Sequence, residues 1–351
     1  MRFYRDSQSD MSLKPEDYDY KFPPELIAQE PAHPRDSARL MVYERKTGRI
    51  TLDNFENIDK YIPPQSLLVL NHTKVIPARL TFRKSTGAKV RGLYLGVSGE
   101  HFKFLMNKSI KPGEVLKVGE KCTFKVICRE GGEYLLKIIS PNTNMVRTLE
   151  KHGETPIPPY IKHSLLKEKE LRREYQAVFA KKPGSVAAPT ASLHFTHKLL
   201  NRLRKRGCDI CYVTLHVNLG TFAPVKIENI KTNKLHLEEY EISVSAANKI
   251  NRARKYQRPI IAVGTTVVRA LESAVYRGKI NTRRKSTDLF IRPGYNFRII
   301  DGLITNFHVP RSSLLMLVSA LVGREEIMRV YRIAIKEKFR IFSFGDGMFI
   351  I

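Results

Sequence analysis

The feature that most constrains the fold is a strand-then-helix pattern that repeats after Gln176. Apolar runs predict strands at 209–217, 259–263, 287–291 and 297–300, and helices at 246–253, 265–276, 312–322 and 325–338. Thr196 is expected to cap a further helix, which ends at Gly207. This alternation favours a parallel sheet or an α/β barrel, whose ligands bind at the carboxyl ends of the strands.

Residues 80–150 have a different pattern. Strand-like runs at 90–97, 102–106, 122–127 and 134–139 are separated by turns that contain glycine, and no helical period is present. Such spacing is typical of a small antiparallel barrel or sandwich. We therefore predict an α/β protein with an α/β barrel-like main domain (residues 1–79 and 151–351) and an inserted small antiparallel β-barrel domain (residues 80–150).

The chain is strongly basic, with 61 Lys and Arg against 34 Asp and Glu, a formal charge of +27. This excess favours a polyanionic partner, although general solubility is an alternative reason for it. Basic side chains form three clusters, two of which surround Tyr256 and Tyr276. The clusters are Lys198, Arg202, Arg204, Lys205 and Arg206; Arg252, Arg254, Lys255 and Arg258; and Arg277, Lys279, Arg283, Arg284 and Lys285. Interleaved aromatic and basic residues fit an RNA backbone track, whereas one such cluster alone is usually a solvated face.

Several classes of protein are disfavoured. No run of about 18 apolar residues is present, so no membrane span is predicted. The first ten residues lack the apolar segment of a secretory signal, and four cysteines do not make a disulfide framework. The histidines lack metal-binding spacing, and Cys208 and Cys211 have no second matching pair, so no metal is predicted. We expect a cytoplasmic monomer.

Two motifs place small residues where a ligand could approach the backbone. Gly264, Thr265 and Thr266 follow a predicted strand and open a helix, whose free N–H groups suit an anion; Thr265 or Thr266 could instead only cap that helix. The segment 184–190 is rich in small residues and precedes His194, for which a purely structural role is the alternative. Neither a phosphate loop nor a GxGxxG fingerprint is present, so nucleoside triphosphates and NAD gain no support.

Two further motifs combine polar and aromatic groups near strand ends. Strand alternation places Thr214 and His216 on one face, ahead of Gly220 and Thr221, where α/β enzymes hold reactive groups. The segment 301–310 carries an acid, an amide, an aromatic ring and a histidine, and both a functional and a structural role are open for it. Its candidate residues are Asp301, Asn306, Phe307, His308 and Pro310.

Together these motifs resemble the S-adenosylmethionine:tRNA ribosyltransferase-isomerase family of the queuosine pathway. The resemblance runs nearly end to end. It is carried by segments 26–31, 35–40, 70–80, 175–180, 184–196, 214–224, 262–272, 287–295, 305–309 and the closing residues.

The resemblance implies an α/β barrel-like domain with an inserted β-barrel domain. It also implies transfer of the ribosyl part of S-adenosylmethionine to 7-aminomethyl-7-deazaguanine at the wobble position of tRNA. The products would be epoxyqueuosine-tRNA, adenine and methionine. S-adenosylmethionine would be a consumed substrate, so neither a cofactor nor a metal is implied.

This chemistry needs a base, because protons beside a sulfonium are acidic, and an acid that assists the departure of adenine. We expect His216 or His194 to be the base, and Asp301 or His308 to assist adenine. Further residues are expected to hold substrate. They are Arg39, Asn71, Thr73, Lys74, Arg79, Ser185, Pro189, Thr190, Thr214, Gly220, Thr221, Gly264, Thr265, Thr266, Asn306, Phe307 and Pro310.

The chain departs from the family pattern at a few positions. His72 stands where the family usually has Asp, and Ser192 replaces a usual Gly. The loss of an anion at position 72 raises the alternative of an RNA-binding protein without activity. A methyltransferase is a second alternative, but the chain lacks the early Gly-rich strand–loop–helix that such folds usually show.

Overall fold

A computed structural model describes residues 13–218, 224–282 and 284–351. The strands of these residues are β1 (Arg39–Glu44), β2 (Arg49–Asn54), β3 (Leu67–Asn71), β4 (Thr73–Val75), β5 (Arg79–Lys84), β6 (Lys89–Ser98), β7 (His101–Met106), β8 (Val115–Val118), β9 (Cys122–Glu130), β10 (Glu133–Ile138), β11 (Lys182–Ser185), β12 (Asp209–Leu215), β13 (Lys234–Glu241), β14 (Ile260–Val263), β15 (Val275–Tyr276), β16 (Lys279–Ile280), β17 (Arg284–Leu289), β18 (Gly302–Asn306) and β19 (Gly347–Ile350).

The helices are α1 (Met145–His152), α2 (Glu168–Glu174), α3 (His197–Lys205), α4 (Ile227–Thr232), α5 (Val244–Lys255), α6 (Thr265–Ala274), α7 (Ser313–Val322) and α8 (Arg324–Lys336). Short 3₁₀ helices lie at Pro15–Tyr18, Pro24–Leu26, Arg35–Ser37, Phe55–Lys60 and Thr190–His194. Within the described ranges, no helix is long and apolar enough to cross a membrane.

Nine strands form one mixed sheet in the order β17-β13-β12-β3-β14-β18-β19-β1-β2. Its centre is parallel: β12 and β14 flank β3, and β14 also pairs with β18. The carboxyl ends of these four strands therefore meet at one edge of the sheet, as expected for α/β proteins.

Side-chain alternation along the central strands separates two cores. Leu67 and Val69 of β3 face the core that contains α5, α6, α7 and α8. Leu68 and Leu70 face the opposite core, which contains α3 and the 3₁₀ helix Phe55–Lys60. Because both faces are covered, the central strands consist mainly of buried apolar residues.

The inserted element is a closed barrel of six antiparallel strands in the order β10-β7-β6-β5-β8-β9. Phe82, Phe104 and Phe124 meet edge-to-face inside it, with ring centroids 5.3 to 6.0 Å apart. The predicted α/β class and the inserted antiparallel barrel are thus confirmed.

The predicted strand at 297–300 is wrong. The backbone N–H groups of Arg298 and Ile299 donate to the buried carboxylate of Glu272 rather than to a neighbouring strand. The strand lies a few residues later, at β18, inside the motif that begins at Asp301. The helix predicted at 265–276 ends at Ala274, because Val275 is extended and begins the β15–β16 hairpin, whose turn is formed by Arg277 and Gly278 in left-handed conformations.

Candidate functional site

A pocket opens at the edge of the sheet where β14 and β18 end and where α6 begins. The space between its lining atoms is about 530 Å³, a volume that includes open solvent. Its described lining is Tyr160, Ala188, Pro189, Thr190, Ala191, Val217, Gly264, Thr265, Thr266, Thr305, Asn306, Phe307, His308, Val309, Leu314, Phe342 and Ser343.

No Asp, Glu, Lys or Arg side chain is among the described residues that line this pocket. The one titratable imidazole, His308, is buried, and this burial lowers its pKa to about 3. Its Nε2 lies 3.1 Å from the hydroxyl of Thr305. The described lining therefore offers hydrogen bonds and apolar surface to a ligand at neutral pH, but no formal charge.

A chain of hydrogen bonds fixes one wall of the pocket. The hydroxyl of Thr190 donates to Oδ1 of Asn306 over 2.9 Å, and Nδ2 of Asn306 lies 3.2 Å from Nε2 of His194. The His194 ring stacks on Phe55, with centroids 4.7 Å apart. Burial, followed by the charges of nearby arginines, lowers the pKa of His194 to about 3. Because the amide nitrogen must donate, Nε2 of this neutral ring accepts, and His194 orients Asn306.

The start of α6 forms another wall. Gly264 has φ of +92°, a conformation that favours glycine, and its N–H donates to the carbonyl of Ile304 in β18. This turn brings Thr265 and Thr266 to the pocket. The positive end of the helix dipole lies at the same place and favours a ligand acceptor there.

A second cluster lies beside the pocket, around two histidines. Nδ1 of His216 is 2.8 Å from Oγ1 of Thr73, and Nε2 of His72 is 2.9 Å from Oγ1 of Thr214. Burial and then the charge of Lys182 lower the pKa of His72.

Gly184 lies so close to the His216 ring that a Cβ at this position would be 2.9 Å from the imidazole. His216 directly precedes Val217, which lines the pocket. The two sites therefore share the end of β12.

The structure brings many of the predicted site residues together. The predicted residues that line the pocket are Pro189, Thr190, Gly264, Thr265, Thr266, Asn306, Phe307 and His308. The histidine cluster contains the predicted residues Thr73, Thr214 and His216.

Two more predicted residues act as framework. The side chain of Asn71 bridges Leu215, Thr73 and Thr266, and the Ser185 hydroxyl bonds the backbone of Ala187 and Val217. Gly220 and Thr221 lie outside the described residues.

Five further predicted residues belong neither to the described pocket lining nor to the histidine cluster or its framework: Arg39, Lys74, Arg79, Asp301 and Pro310. Asp301 precedes the first residue of β18, whereas the pocket lies at the last residue of that strand. Its Oδ2 accepts from the N–H of Ile260 over 2.8 Å, which joins the starting ends of β14 and β18.

Arg39 and Arg79 also make structural contacts. The guanidinium of Arg39 lies 3.9 Å from the ring centroid of Phe339, and that of Arg79 donates to the carbonyl of Ile157 over 3.0 Å. Lys74 is exposed.

Sequence reasoning missed two pocket hydroxyls. The Tyr160 hydroxyl lies 2.6 Å from the Ser343 hydroxyl, and both residues line the pocket. The two residues are 183 positions apart in the sequence. Tyr160 ends a proline-rich stretch and Ser343 lies in a glycine-containing motif near the end of the chain, and nothing else in the sequence marks them.

In the described part of the chain, no group of three or more His, Cys, Asp or Glu side chains is placed to hold a metal ion. Cys208 and Cys211 are buried free thiols.

A parallel-centred sheet with a pocket at the carboxyl ends of its strands is the typical arrangement of α/β enzymes. Comparison with known proteins identifies the family: the model of the "Queuosine biosynthesis protein" family matches residues 15–350. The chain therefore belongs to this family.

Individual relatives support this family assignment. The chain is 48% identical over 346 residues to the S-adenosylmethionine:tRNA ribosyltransferase-isomerase of Carboxydothermus hydrogenoformans, with 97% of this chain and 100% of the relative covered. The enzyme of the same name from Halothermothrix orenii is 46% identical over 354 residues, with the same coverage. The crystal structure of S-adenosylmethionine tRNA ribosyltransferase from Thermotoga maritima superposes with a TM-score of 0.55 at 36% identity and covers 95% of this chain and 100% of that one.

Proposed function

We propose that this chain transfers the ribosyl group of S-adenosylmethionine to 7-aminomethyl-7-deazaguanine at the wobble position of tRNA and isomerises it. The products are epoxyqueuosine-tRNA, adenine and methionine, and S-adenosylmethionine is consumed. Family membership supports the class of reaction. The observation that carries the assignment to a site is the uncharged pocket, which suits a neutral heterocycle.

The adenine end of S-adenosylmethionine fits this pocket chemically. Adenine is neutral and combines a large apolar face with ring-nitrogen acceptors and an exocyclic donor. The hydroxyls of Thr265 and Thr266 and the free N–H groups at the start of α6 supply hydrogen-bond donors. The neighbouring wall is held in place by the hydrogen bond between Thr190 and Asn306. The cationic sulfonium is left outside, toward the histidine cluster.

His216 is the proposed base. The reaction begins when a base removes a proton from C5′, next to the sulfonium, and the neutral amine of the tRNA base then attacks the ribosyl group. His216 is only half-buried and adjoins the pocket, and the bond between its Nδ1 and Thr73 orients the ring for this transfer. His194 is bonded to Asn306 behind the wall, so we assign it the role of a positioning residue.

His308 assists adenine as a neutral group. A histidine with a pKa near 3 is uncharged at pH 7, so it contributes a hydrogen bond rather than a full positive charge. Asp301 has no part in this proposal because it lies at the opposite end of β18. A cytoplasmic monomer is the proposed working state.

Identification of the small products tests the function. The protein is incubated with S-adenosylmethionine and tRNA that carries the aminomethyl base, and the small molecules are analysed by mass spectrometry. Adenine and methionine in equal amounts are the expected result. S-adenosylhomocysteine would assign a methyltransferase, and tRNA binding without any small product would assign an inactive RNA-binding protein.

A further inference from the structure

Helix α5 and the β15–β16 hairpin form a continuous surface without acidic residues in its sequence. Residues 244–258 contain five Lys and Arg, residues 275–285 contain another five, and neither segment has an Asp or Glu. Asn251 joins them: its Nδ2 donates to the carbonyl of Ile280 over 3.2 Å, and its Oδ1 accepts from the N–H of Ile280 over 2.8 Å. We name this area the α5–hairpin surface and define it by Arg252, Lys255, Tyr256, Tyr276, Arg277 and Lys279.

Two tyrosines on this surface project into solvent with cations beside them. Tyr256 is 61% exposed and Tyr276 is 60% exposed. The charged groups of Arg252 and Lys255 each lie 5.9 Å from the Tyr256 ring, and that of Arg277 lies 5.3 Å from the Tyr276 ring. Exposed rings flanked by cations can stack on nucleobases while the cations contact phosphates.

Arg277 occupies a position that the local backbone does not favour for arginine. The two residues of the hairpin turn, Arg277 and Gly278, have φ of +47° and +74°. Such turns favour Asn-Gly or Gly-Gly, because a left-handed conformation costs most other residues about 1 kcal/mol. Asn or Gly would therefore suit this turn better than arginine does.

Among the described residues, no carboxylate forms an ion pair with the cations that define this surface. In the described part of the chain, Arg252, Lys255, Arg277 and Lys279 take part in no ion pair. The basic cluster on α3 differs, since Asp59 accepts from both Arg202 and Arg206 at 3.0 and 2.9 Å. Arg258, at the end of the α5 segment, also pairs with a carboxylate, that of Asp209 at 2.7 Å. The charge that the α5–hairpin surface offers to a partner is therefore that of its four defining cations.

The position of the surface defines how a partner would reach it. Helix α6 begins at the pocket and ends where β15 begins, so the hairpin lies about 15 Å from the pocket, the length of ten helical residues. A partner whose reacting group is at the pocket must extend at least that far to contact both places.

We propose that the α5–hairpin surface binds the backbone and exposed bases of the tRNA substrate away from the reacting base. This inference rests on the proposed function for the identity of the RNA. The chemistry of the surface, unpaired cations and exposed aromatic rings, specifies a nucleic acid rather than an acidic protein.

The test is a triple variant, Arg252→Gln, Lys255→Gln and Arg277→Asn. Its binding to an unmodified tRNA transcript is measured at several salt concentrations. We expect at least a ~10-fold weaker affinity, and a plot of log K against log salt that is shallower by two to three, about one for each phosphate that the variant no longer neutralises. Because Asn suits the left-handed turn, the single variant Arg277→Asn should be at least as stable as the parent while binding tRNA less tightly.

A matched control removes the same charge elsewhere. Arg332, Lys336 and Lys338 are exposed at the end of α8, and Lys338 also has a left-handed backbone, with φ of +54°. The control triple is Arg332→Gln, Lys336→Gln and Lys338→Asn. A change in tRNA affinity below about threefold is expected for it.

The outcomes separate this inference from the proposed function. Equal effects of the two triples, or unchanged binding by the α5–hairpin triple, would overturn the inference, while adenine release by the parent protein would still support the function. Equal competition by polyglutamate and by RNA of the same charge would also overturn it, since stacking would then play no part. Loss of tRNA binding by the α5–hairpin triple alone supports it, whatever product the parent releases.

Discussion

The hydroxyl of Thr73 lies 2.8 Å from Nδ1 of His216, and this contact orients the imidazole at the end of β12 beside the pocket. A base must be both oriented and accessible, and His216 meets both conditions, whereas His194 is fully enclosed.

The first prediction concerns this histidine. His216→Ala should lower kcat by about 100- to 10,000-fold, the usual contribution of a general base, with little change in the affinity for S-adenosylmethionine. Single-turnover adenine release measures the first quantity and calorimetry the second. His236→Ala, which removes an exposed histidine from β13, is the control. Normal turnover by His216→Ala would exclude this residue as the base.

The second prediction concerns the pocket wall. Thr190→Val keeps the shape of the side chain but removes the donor to Asn306, which leaves a buried amide oxygen unpaired at a cost of about 1–3 kcal/mol. If Asn306 rotates in response, affinity for S-adenosylmethionine should fall by about tenfold. Thr47→Val, at an exposed position, serves as the control. Unchanged affinity together with unchanged stability would show that the wall does not depend on this bond.

The third prediction is a pH dependence of stability. Burial lowers the pKa of both His194 and His308 from 6.5 to about 3. Between these pH values the unfolded chain binds protons that the native protein does not, so the free energy of unfolding is greatest above pH 6.5 and decreases as the pH falls. Each histidine contributes a slope of ~1.4 kcal/mol per pH unit.

Urea unfolding from pH 7 to pH 4.5 measures this slope. His308→Gln should reduce this slope by the contribution of one histidine, and Thr47→Val, which removes no titratable group, should leave it unchanged. An unaltered slope in His308→Gln would mean that this imidazole is protonated in the native protein.

The sequence predicts the strand-end motifs well because the carboxyl ends of parallel strands meet at one edge. Gly264, Thr266, Asn306 and His308 come together for this reason, because they lie at or just after the ends of two neighbouring strands, β14 and β18. Asp301 could not be placed, because the five residues of β18 are all buried and show no alternation that would mark them as a strand. If β18 is not recognised, Asp301 and His308 read as parts of one short motif. Because β18 lies between them, they are at opposite ends of that strand.

Other parts of the site depend on contacts that no local pattern records. The hydroxyl pair of Tyr160 and Ser343 forms only after the chain has folded, and the same is true of the contact between Gly184 and His216. The sequence marks Gly184 as a small residue, but the neighbour that requires a glycine there is 32 residues away along the chain.

The fourth prediction tests the position of Asp301. Asp301→Ala should lower the free energy of unfolding by about 1 kcal/mol, since it removes the acceptor for the N–H of Ile260. Its kcat should stay within about twofold of the parent, because catalytic effects of an acid are far larger. Chemical denaturation and adenine release measure the two quantities. A large loss of kcat in a stable Asp301→Ala protein would require this carboxylate to act in the reaction.

The most direct test of the central claim follows two parts of S-adenosylmethionine at once. The substrate carries ³H in its ribose and ¹⁴C in its methyl group, and the protein is supplied with tRNA that bears the aminomethyl base. Ribosyl transfer predicts that ³H enters the tRNA while ¹⁴C leaves as free methionine. Transfer of ¹⁴C into the tRNA, or of neither label, would contradict the account.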